Sequence, residues 1–218
     1  MKRLLSFILC LVISSTLFAQ VVRQAFVNMP DSILSILTKV NREDCIDFLD
    51  SHMKAVIKNR FDQKSEMTTL SNDFLRMQLS TNSSFEMKIL PTTDTTHVIC
   101  TIQTVCSKVC DSHIKFYTIN WQPLDSKDYI ILPKQTEFEP DSIPSFIADT
   151  LSTSWPTLHA EADILLMQAT LADTTSHLVF HYTTPNYMRK ESAALYTSLL
   201  KSHSIIYEWQ KGKFIRKD

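Results

Sequence analysis

The spacing of apolar residues divides the first half of the chain into a helical part and a sheet part. In "MPDSILSILTKV" and in "NREDCIDFLDSHMKAVIKNRF", apolar residues recur three and four positions apart, which predicts two consecutive helices. Cys45, Leu49 and Met53 share one face of the second helix. On its polar side, Asp50 and Lys54 have the spacing of an ion pair.

After these helices the apolar period changes to two, which indicates strands. "DFLRMQLS" and "FEMKILP" flank the polar "TNSS" and predict a hairpin, and "HVICTIQTV" and "HIKFYTINW" predict two further strands. Two helices followed by four meandering strands predict an α+β unit whose helices pack on one face of an antiparallel sheet.

The second half of the chain repeats parts of the first half in the same order. "MPDSILSIL" resembles "EPDSIPSFI", "DFLRMQ" resembles "DILLMQ", and "INWQ" resembles "YEWQ". This shared order predicts an old duplication in which Met77 corresponds to Met167 and Trp121 to Trp209. The second copy should contain a short helix near 141–152, strands in "ADILLMQATL" and "HLVFHYTT", an additional helix in "RKESAALYTSLLKS", and a last strand in "SIIYEWQKGKFI".

Together these patterns predict an α+β protein of two tandem, unequal lobes, each with helices on one face of an antiparallel sheet. The expected domains are a first lobe over 20–125, a linker over 126–140 and a second lobe over 141–218. Residues 1–19 are set apart as a signal peptide.

The first twenty residues predict export. Lys2 and Arg3 precede an uncharged, mostly apolar run of ten residues, and Ala19 offers a small residue for cleavage before Gln20. No stretch reaches the roughly 18 apolar residues of a membrane span. Cys10 lacks the small residues that precede a lipoprotein cysteine, so we expect no lipid anchor. The predicted location is the periplasm, the cell surface or the medium; the alternative for this segment is a first buried helix.

Composition excludes several classes of enzyme. The chain has one glycine, Gly212, whereas a P-loop, a dinucleotide fingerprint and a GxSxG nucleophile elbow each need at least two. We therefore expect no nucleotide cofactor. The formal net charge of −1 provides no electrostatic footprint for nucleic acid.

The stretch "VCSKVCDSH" has the strongest chemical character in the chain. Cys106 and Cys110 lie between two predicted strands, and pairing is the default in an oxidising compartment, so we predict a structural disulfide. A redox centre or a metal site with His113 is the alternative, but a thioredoxin-type site has Cys-x2-Cys at a helix start. Cys45 and Cys100 fall on apolar faces and are either buried thiols or a second bridge.

The histidines and acidic residues form no recognisable catalytic or metal motif. His177 and His181 share one face of a predicted strand, and His159 with Glu161 forms HxE without the Pro-Cys-x-x-Cys of a zinc deaminase. No HExxH occurs. The acids of "REDCIDFLDSH" are expected on a solvated helix face, and we expect no metal site.

The ordered set "MPDSILSIL", "REDCIDFLDSHMKAVIKNR", "SEMTTLSNDFLRMQLS", "HVICTIQTVC" and "CDSHIKFYTINWQ" is similar to an uncharacterised family of exported proteins of gut-type Gram-negative anaerobes. That family is known only as a domain of unknown function. The resemblance is clearest over 26–132. It implies export and no assigned activity, and it transfers no catalytic residues. More distantly, the tandem arrangement resembles the β-lactamase-inhibitory-protein architecture, at the level of fold only.

The host bacteria implied by this resemblance are similar to those that O-glycosylate exported proteins at Asp-Ser/Thr followed by an aliphatic residue or Thr. Thr95 and Thr174 fit this pattern in polar runs between predicted strands, where a sugar would face solvent. Ser32 and Ser142 also fit it, but we expect them to cap helices. We therefore predict modification at Thr95 or Thr174 first.

No motif in the sequence indicates an enzymatic activity. The predicted class of function therefore depends on the enzyme classes and metal sites that the sequence excludes. We predict a non-enzymatic exported binding or envelope-assembly module, which acts through its sheet faces or the cleft between lobes on a protein or glycan partner. The alternative is an exported hydrolase whose site forms in that cleft.

Overall fold

The structure, a computed structural model, describes residues 21–93, 95–143 and 154–217. The predicted signal peptide, residues 1–19, and most of the short helix predicted near 141–152 lie outside these ranges. No helix among the described residues has both the length and the apolar character needed to cross a membrane.

The protein is α+β, with one antiparallel sheet of seven strands and another of four. It divides into two compact units. Among the described residues, the first unit holds those up to Gln103 together with Ile114–Ser126, and the second holds Thr104–His113 and those from Lys127 onward. Most of the predicted linker, 126–140, thus belongs to the second unit.

The first helices of the structure differ from those predicted. Helix α1 covers 21–28, and α2 is Lys39–Asp50, whereas most of "MPDSILSILTKV" forms turns. The prediction of a helix there was wrong because a buried arginine takes its carbonyl groups: Arg42 donates to Met29 O at 2.5 Å and to Leu37 O at 3.0 Å. Pro30 also follows the end of α1 and has no amide hydrogen for continuing it.

Helix α2 has a defined cap at each end. Thr38 and Asn41 form a reciprocal capping box at its start. At its end His52 has a φ of 55°, and Met53 N donates to Phe48 O at 2.8 Å, which is the hydrogen bond of a Schellman motif. Histidine thus occupies a position that glycine usually takes. The prediction that this helix continues towards residue 61 was therefore wrong.

The larger sheet is a meander in sequence order. Its strands are β1 (Val56–Lys58), β2 (Lys64–Leu70), β3 (Phe74–Ser80), β4 (Ser83–Pro91), β5 (His97–Cys106), β6 (Cys110–Thr118) and β7 (Pro123–Leu124). The four strands predicted from the two-residue period are confirmed as β3 to β6, and the predicted hairpin joins β3 to β4. Strands β1, β2 and β7 were not predicted.

The core of the first unit is one cluster of buried apolar side chains. Alternate residues of the sheet enter it, including Met77 of β3 and Phe85 of β4. Phe26 of α1 and Cys45 of α2 belong to the same cluster. The apolar faces read from the two periods therefore meet in one core.

The second unit contains helices and a four-stranded sheet. Its elements are α3 (Trp155–Glu161), β8 (Met167–Leu171), β9 (His177–Tyr182), α4 (Lys190–Leu199), β10 (Ser204–Gln210) and β11 (Lys213–Arg216). The sheet order is β11-β10-β9-β8. The strands predicted in this half are confirmed as β8 and β9, and α4 is the predicted additional helix. The single predicted last strand is in fact the hairpin β10–β11.

The predicted duplication requires two pairs of residues to occupy equivalent places in the two sheets, and neither pair does. Met77 lies on β3, which pairs on both sides, whereas Met167 lies on the edge strand β8. Trp121 has a φ of 63° in the turn after β6, whereas Trp209 lies inside β10. The correspondence of the two tryptophans was therefore wrong.

Candidate functional site

The hairpin β10–β11 carries two of the exposed large apolar residues of the second unit, Ile206 and Ile215. Its turn, Lys211 and Gly212, has φ values of 50° and 79°, which match a two-residue hairpin turn of the primed type. The resulting register places Trp209 opposite Phe214 and Glu208 opposite Ile215. Alternate residues then face the core and the solvent.

The chain from Lys127 to Leu132 lies along the outer edge of this hairpin. Phe214 N donates to Tyr129 O at 2.8 Å, and the Tyr207 hydroxyl donates to Ile131 O at 2.9 Å. The rings of Tyr129 and Trp209 are stacked with centroids 6.2 Å apart. These contacts hold the backbone of Ile131 in place while its side chain remains in solvent.

A groove of about 400 Å³ runs between this segment and β11. Ile131 is 79% exposed and Ile215 is 38% exposed at its walls. Leu132, next to the groove, is 51% exposed, and Ile206 on the solvent side of β10 is 40% exposed. We call these four residues the isoleucine patch.

Charged residues of both signs line the groove, with basic residues in excess. The lining contains Lys127, Lys213 and Arg216 together with the acidic Asp128 and Glu137. Lys211 and Lys217 of the same hairpin are exposed. Arg216 pairs with Glu137 at 2.9 Å. Burial, and secondly Glu137, raise the pKa of Tyr207 to about 12, so its hydroxyl keeps its proton at neutral pH. The surface therefore combines apolar side chains with an excess of positive charge.

A second polar cluster surrounds Glu139, which is 5% exposed. Its Oε1 accepts hydrogen bonds from the Tyr196 hydroxyl at 2.6 Å and from Gln135 Nε2 at 2.8 Å. His159 Nδ1 lies 2.7 Å from the same oxygen. The Tyr182 hydroxyl is 2.9 Å from that of Tyr196. We call this set the Glu139 cluster.

Opposing effects act on the Glu139 carboxyl. Burial raises its pKa, but the hydrogen bonds from Tyr196, Gln135 and His159 together outweigh burial and leave the pKa lowered. The carboxylate is therefore ionised at neutral pH and only accepts hydrogen bonds. His159 Nδ1 must then donate the hydrogen bond to this carboxylate, and the second ring nitrogen, Nε2, takes no part in that contact. Burial and the bond to Glu139 raise the pKa of Tyr196, so this hydroxyl is a donor.

A family model described as "Protein of unknown function (DUF3256)" matches residues 14–214. The chain belongs to this family. One solved structure, of a domain of an uncharacterized protein from Porphyromonas gingivalis W83, is similar to it with a TM-score of 0.77 and 27% sequence identity. The match covers 90% of this chain and 98% of that chain. Among curated proteins, none matches.

The chain has the disulfide that the sequence predicts. Cys106 and Cys110 are joined at the end of the β5–β6 hairpin, with Cα atoms 4.0 Å apart. The Thr183 hydroxyl donates to Cys110 O at 2.7 Å, and Asp111 Oδ1 accepts from Met167 N at 3.1 Å. The disulfide-closed loop is thus tied to β8 and to the residue that follows β9.

The other two cysteines are separate buried thiols, so the bridge considered between them does not form. Cys45 lies in the core cluster of the first unit. Burial, and secondly Asp44, raise its pKa to about 12. Burial, and secondly Glu86, also raise the pKa of Cys100. Both thiols stay protonated and act as small apolar side chains.

The HxE pair does not act as a unit, because its members bind different partners. His159 belongs to the Glu139 cluster, whereas Glu161 pairs with Arg189. His177 Nε2 lies 3.8 Å from Glu208, and His181 is exposed. No group of three or more potential metal ligands occurs among the described residues.

The acids of α2 find partners other than the predicted one. Asp50 pairs with Arg23 at 2.5 Å, and Lys54 pairs with Glu66 of β2 at 3.0 Å. The predicted Asp50–Lys54 pair was wrong because α2 ends at Asp50, so the two residues do not share a helix face.

Both predicted glycosylation residues lie in exposed loops between strands. Thr95 is in the loop that joins β4 to β5, and Thr174 is in the loop that joins β8 to β9. Ser32, expected to cap a helix, instead lies in the turn region before α2. Ser142 is exposed just before the residues that the structure leaves undescribed.

Sequence reasoning missed Glu139 and Tyr196. Glu139 is in the proline-containing segment that was predicted as a linker, where an acid is expected to face solvent. Two of its partners, His159 and Tyr196, follow 20 and 57 positions later. The one available signal was the pair of aromatic residues on α4 and β9, since a buried tyrosine usually has a hydrogen-bond partner.

Proposed function

We propose that the protein is an exported, non-enzymatic binding module that holds an extended, acidic and aliphatic peptide segment of an envelope partner. The exposure of Ile131 and Ile215 along one groove carries this proposal. Exposed apolar side chains that are contiguous and have a polar border are typical of protein interaction sites. A distant likeness to the β-lactamase-inhibitory-protein architecture, itself an expectation, is in keeping with a binding role.

The form of the ligand is inferred from the strand edge. Tyr129 covers the edge of β11 at Phe214. Among the described residues, no backbone partner covers that edge at Arg216, two residues further on. An extended peptide can therefore add its backbone to this edge and place aliphatic side chains in the groove. The lysines discourage pairing of two copies of β11, and they favour acidic residues in the partner.

Replacing Ile131 and Ile215 together by Asp should abolish partner capture. We expect about a tenfold or greater loss of the partner recovered from envelope extract, because two apolar contacts are lost and negative charge is introduced. The measurement is quantitative mass spectrometry of proteins cross-linked to purified protein. Phe61→Asp is the matched control, since Phe61 is 69% exposed and lies in the first unit. Equal recovery with the double variant and with the control would contradict the proposal.

The second candidate function is a hydrolase, which the pairing of Glu139 with His159 favours. The side chain of His159 is half exposed, and because Nδ1 is the atom bound to Glu139, Nε2 is the nitrogen left for proton transfer. It could take a proton from an attacking water molecule while the carboxylate stabilises the imidazolium. Chromogenic ester and glycoside substrates test this role. Activity lost in His159→Ala and kept in His177→Ala would support it, and equal rates in both variants would exclude it.

One measurement, the intact mass of the protein, tests both the proposed export and the proposed glycosylation. Intact mass of the protein from its native host should correspond to cleavage after residue 19 plus sugar on Thr95 or Thr174, because both threonines are exposed in loops. The variants Thr95→Ala and Thr174→Ala locate the modification. A mass equal to the full-length, unmodified chain would exclude both proposals.

A further inference from the structure

A cavity of about 490 Å³ lies in the second unit beside the disulfide-closed loop. Its volume is within the usual range for small-molecule sites. Met188, which is buried, and the small side chains of Ala193 and Ala194 form apolar parts of its lining. The cavity shares no lining residue with the groove beside β11.

Two lysines from separate elements border this cavity. Lys108 is in the loop closed by Cys106 and Cys110, and Lys190 is the first residue of α4. None of the residues described as lining the cavity is acidic. Asn186 adds an amide that can donate hydrogen bonds. The nearby Arg189 is not available, because it is paired with Glu161.

The disulfide determines where Lys108 lies. It closes a loop of three residues between Cys106 and Cys110, and Ser107 N donates to Val109 O within that loop. The Thr183 hydroxyl anchors Cys110 O, and Thr183 directly precedes the turn that carries Asn186. The disulfide-closed loop that carries Lys108 is therefore anchored next to the turn that supplies Pro185 and Asn186 to the lining.

We propose that this cavity binds a small organic anion with an apolar body, such as an aliphatic carboxylate. The apolar lining would contact the hydrocarbon part, and the two ammonium groups would contact the carboxylate. A simple inorganic anion would leave the apolar lining without a partner. This proposal is independent of the peptide-binding proposal, and either can fail alone.

The test compares decanoate with the neutral decanol by titration calorimetry on the intact mature protein. We expect decanoate to bind about tenfold more tightly than decanol, since only the former engages both lysines. Lys108→Gln and Lys190→Gln should each weaken decanoate about fivefold and leave decanol unchanged, as expected for loss of one exposed charge contact. Ala194→Leu, which fills the cavity, should weaken both ligands.

Two further variants complete the design. Lys115→Gln, an exposed lysine of β6 in the first unit, should leave both affinities unchanged. The double variant Cys106→Ser with Cys110→Ser should reduce the preference for decanoate, because Lys108 loses its fixed position. Absence of saturable decanoate binding, equal affinity for both ligands, or no response to either lysine variant would each overturn the proposal.

Discussion

Replacing Arg42 by Met should lower the free energy of unfolding of the first unit by about 3 kcal/mol. Arg42 is 1% exposed, and its guanidinium donates to Met29 O, Leu37 O and Asp31 Oδ1. Methionine retains most of the side-chain volume but leaves the carbonyl groups of a turn region without their donor. The cost therefore comes from buried polar groups that lose their partner.

Thermal and denaturant unfolding would measure this effect, with a fall in Tm of about 10 °C. Arg60→Met is the matched control. Arg60 also pairs with Asp31, at 2.5 Å, but it is about half exposed. The control should cost less than about 1 kcal/mol. Equal losses in the two variants would show that burial of Arg42 contributes nothing beyond the ion pair.

The second large effect concerns pH and the Glu139 cluster. Hydrogen bonds hold the pKa of Glu139 below its ordinary value of 4.5 in the folded state. Below that ordinary value, the unfolded chain binds a proton that the folded protein still excludes. The stability that this carboxylate contributes is therefore present above about pH 4.5, and it is lost as the pH falls through the folded pKa.

Glu139→Gln should remove this dependence. The difference in stability between the wild-type protein and Glu139→Gln should be largest near neutral pH and should shrink below about pH 4.5. Denaturant titrations at several pH values measure this difference, and carbon-detected NMR follows the carboxyl directly. Tyr196→Phe, which removes one donor, should raise the pKa of Glu139.

Tyr182→Phe is the matched control for that variant, because the Tyr182 hydroxyl contacts Tyr196 and not Glu139. It should leave the hydrogen bonds of the Glu139 carboxylate intact. A difference in stability that stays constant from pH 7 down to pH 3 would contradict the assignment of the pH dependence to Glu139.

Strand β2 shows why part of the sheet could not be predicted. In its sequence "KSEMTTL" one large apolar residue, Met67, is buried in the core, and Leu70 at the end of the strand is only partly buried against it. The neighbouring inward position is Ser65, whose hydroxyl donates to Leu79 O at 2.6 Å. A serine that is buried and donates a hydrogen bond to the neighbouring strand β3 carries no hydrophobic period. Pattern reasoning therefore passed over β2 and found β3 to β6.

The residues that form tight turns could not be predicted either. His52, Asp62, Trp121 and Lys211 have positive φ values in a chain with one glycine. Composition indicates that other residues must make such turns, but it does not say which ones. The positive φ of His52 ends α2, and that of Lys211 turns the last strand into a hairpin.

Local chemistry in the sequence was sufficient for the α+β class, strands β3 to β6, the helix α4 and the Cys106–Cys110 disulfide. Each depends on the period of apolar residues or on two cysteines close in sequence, so neighbouring positions carry the information. The buried Arg42, the Glu139 cluster and the isoleucine patch depended on the tertiary structure. A charged residue becomes buried, or an isoleucine remains exposed, only through contacts with residues that are distant in the chain.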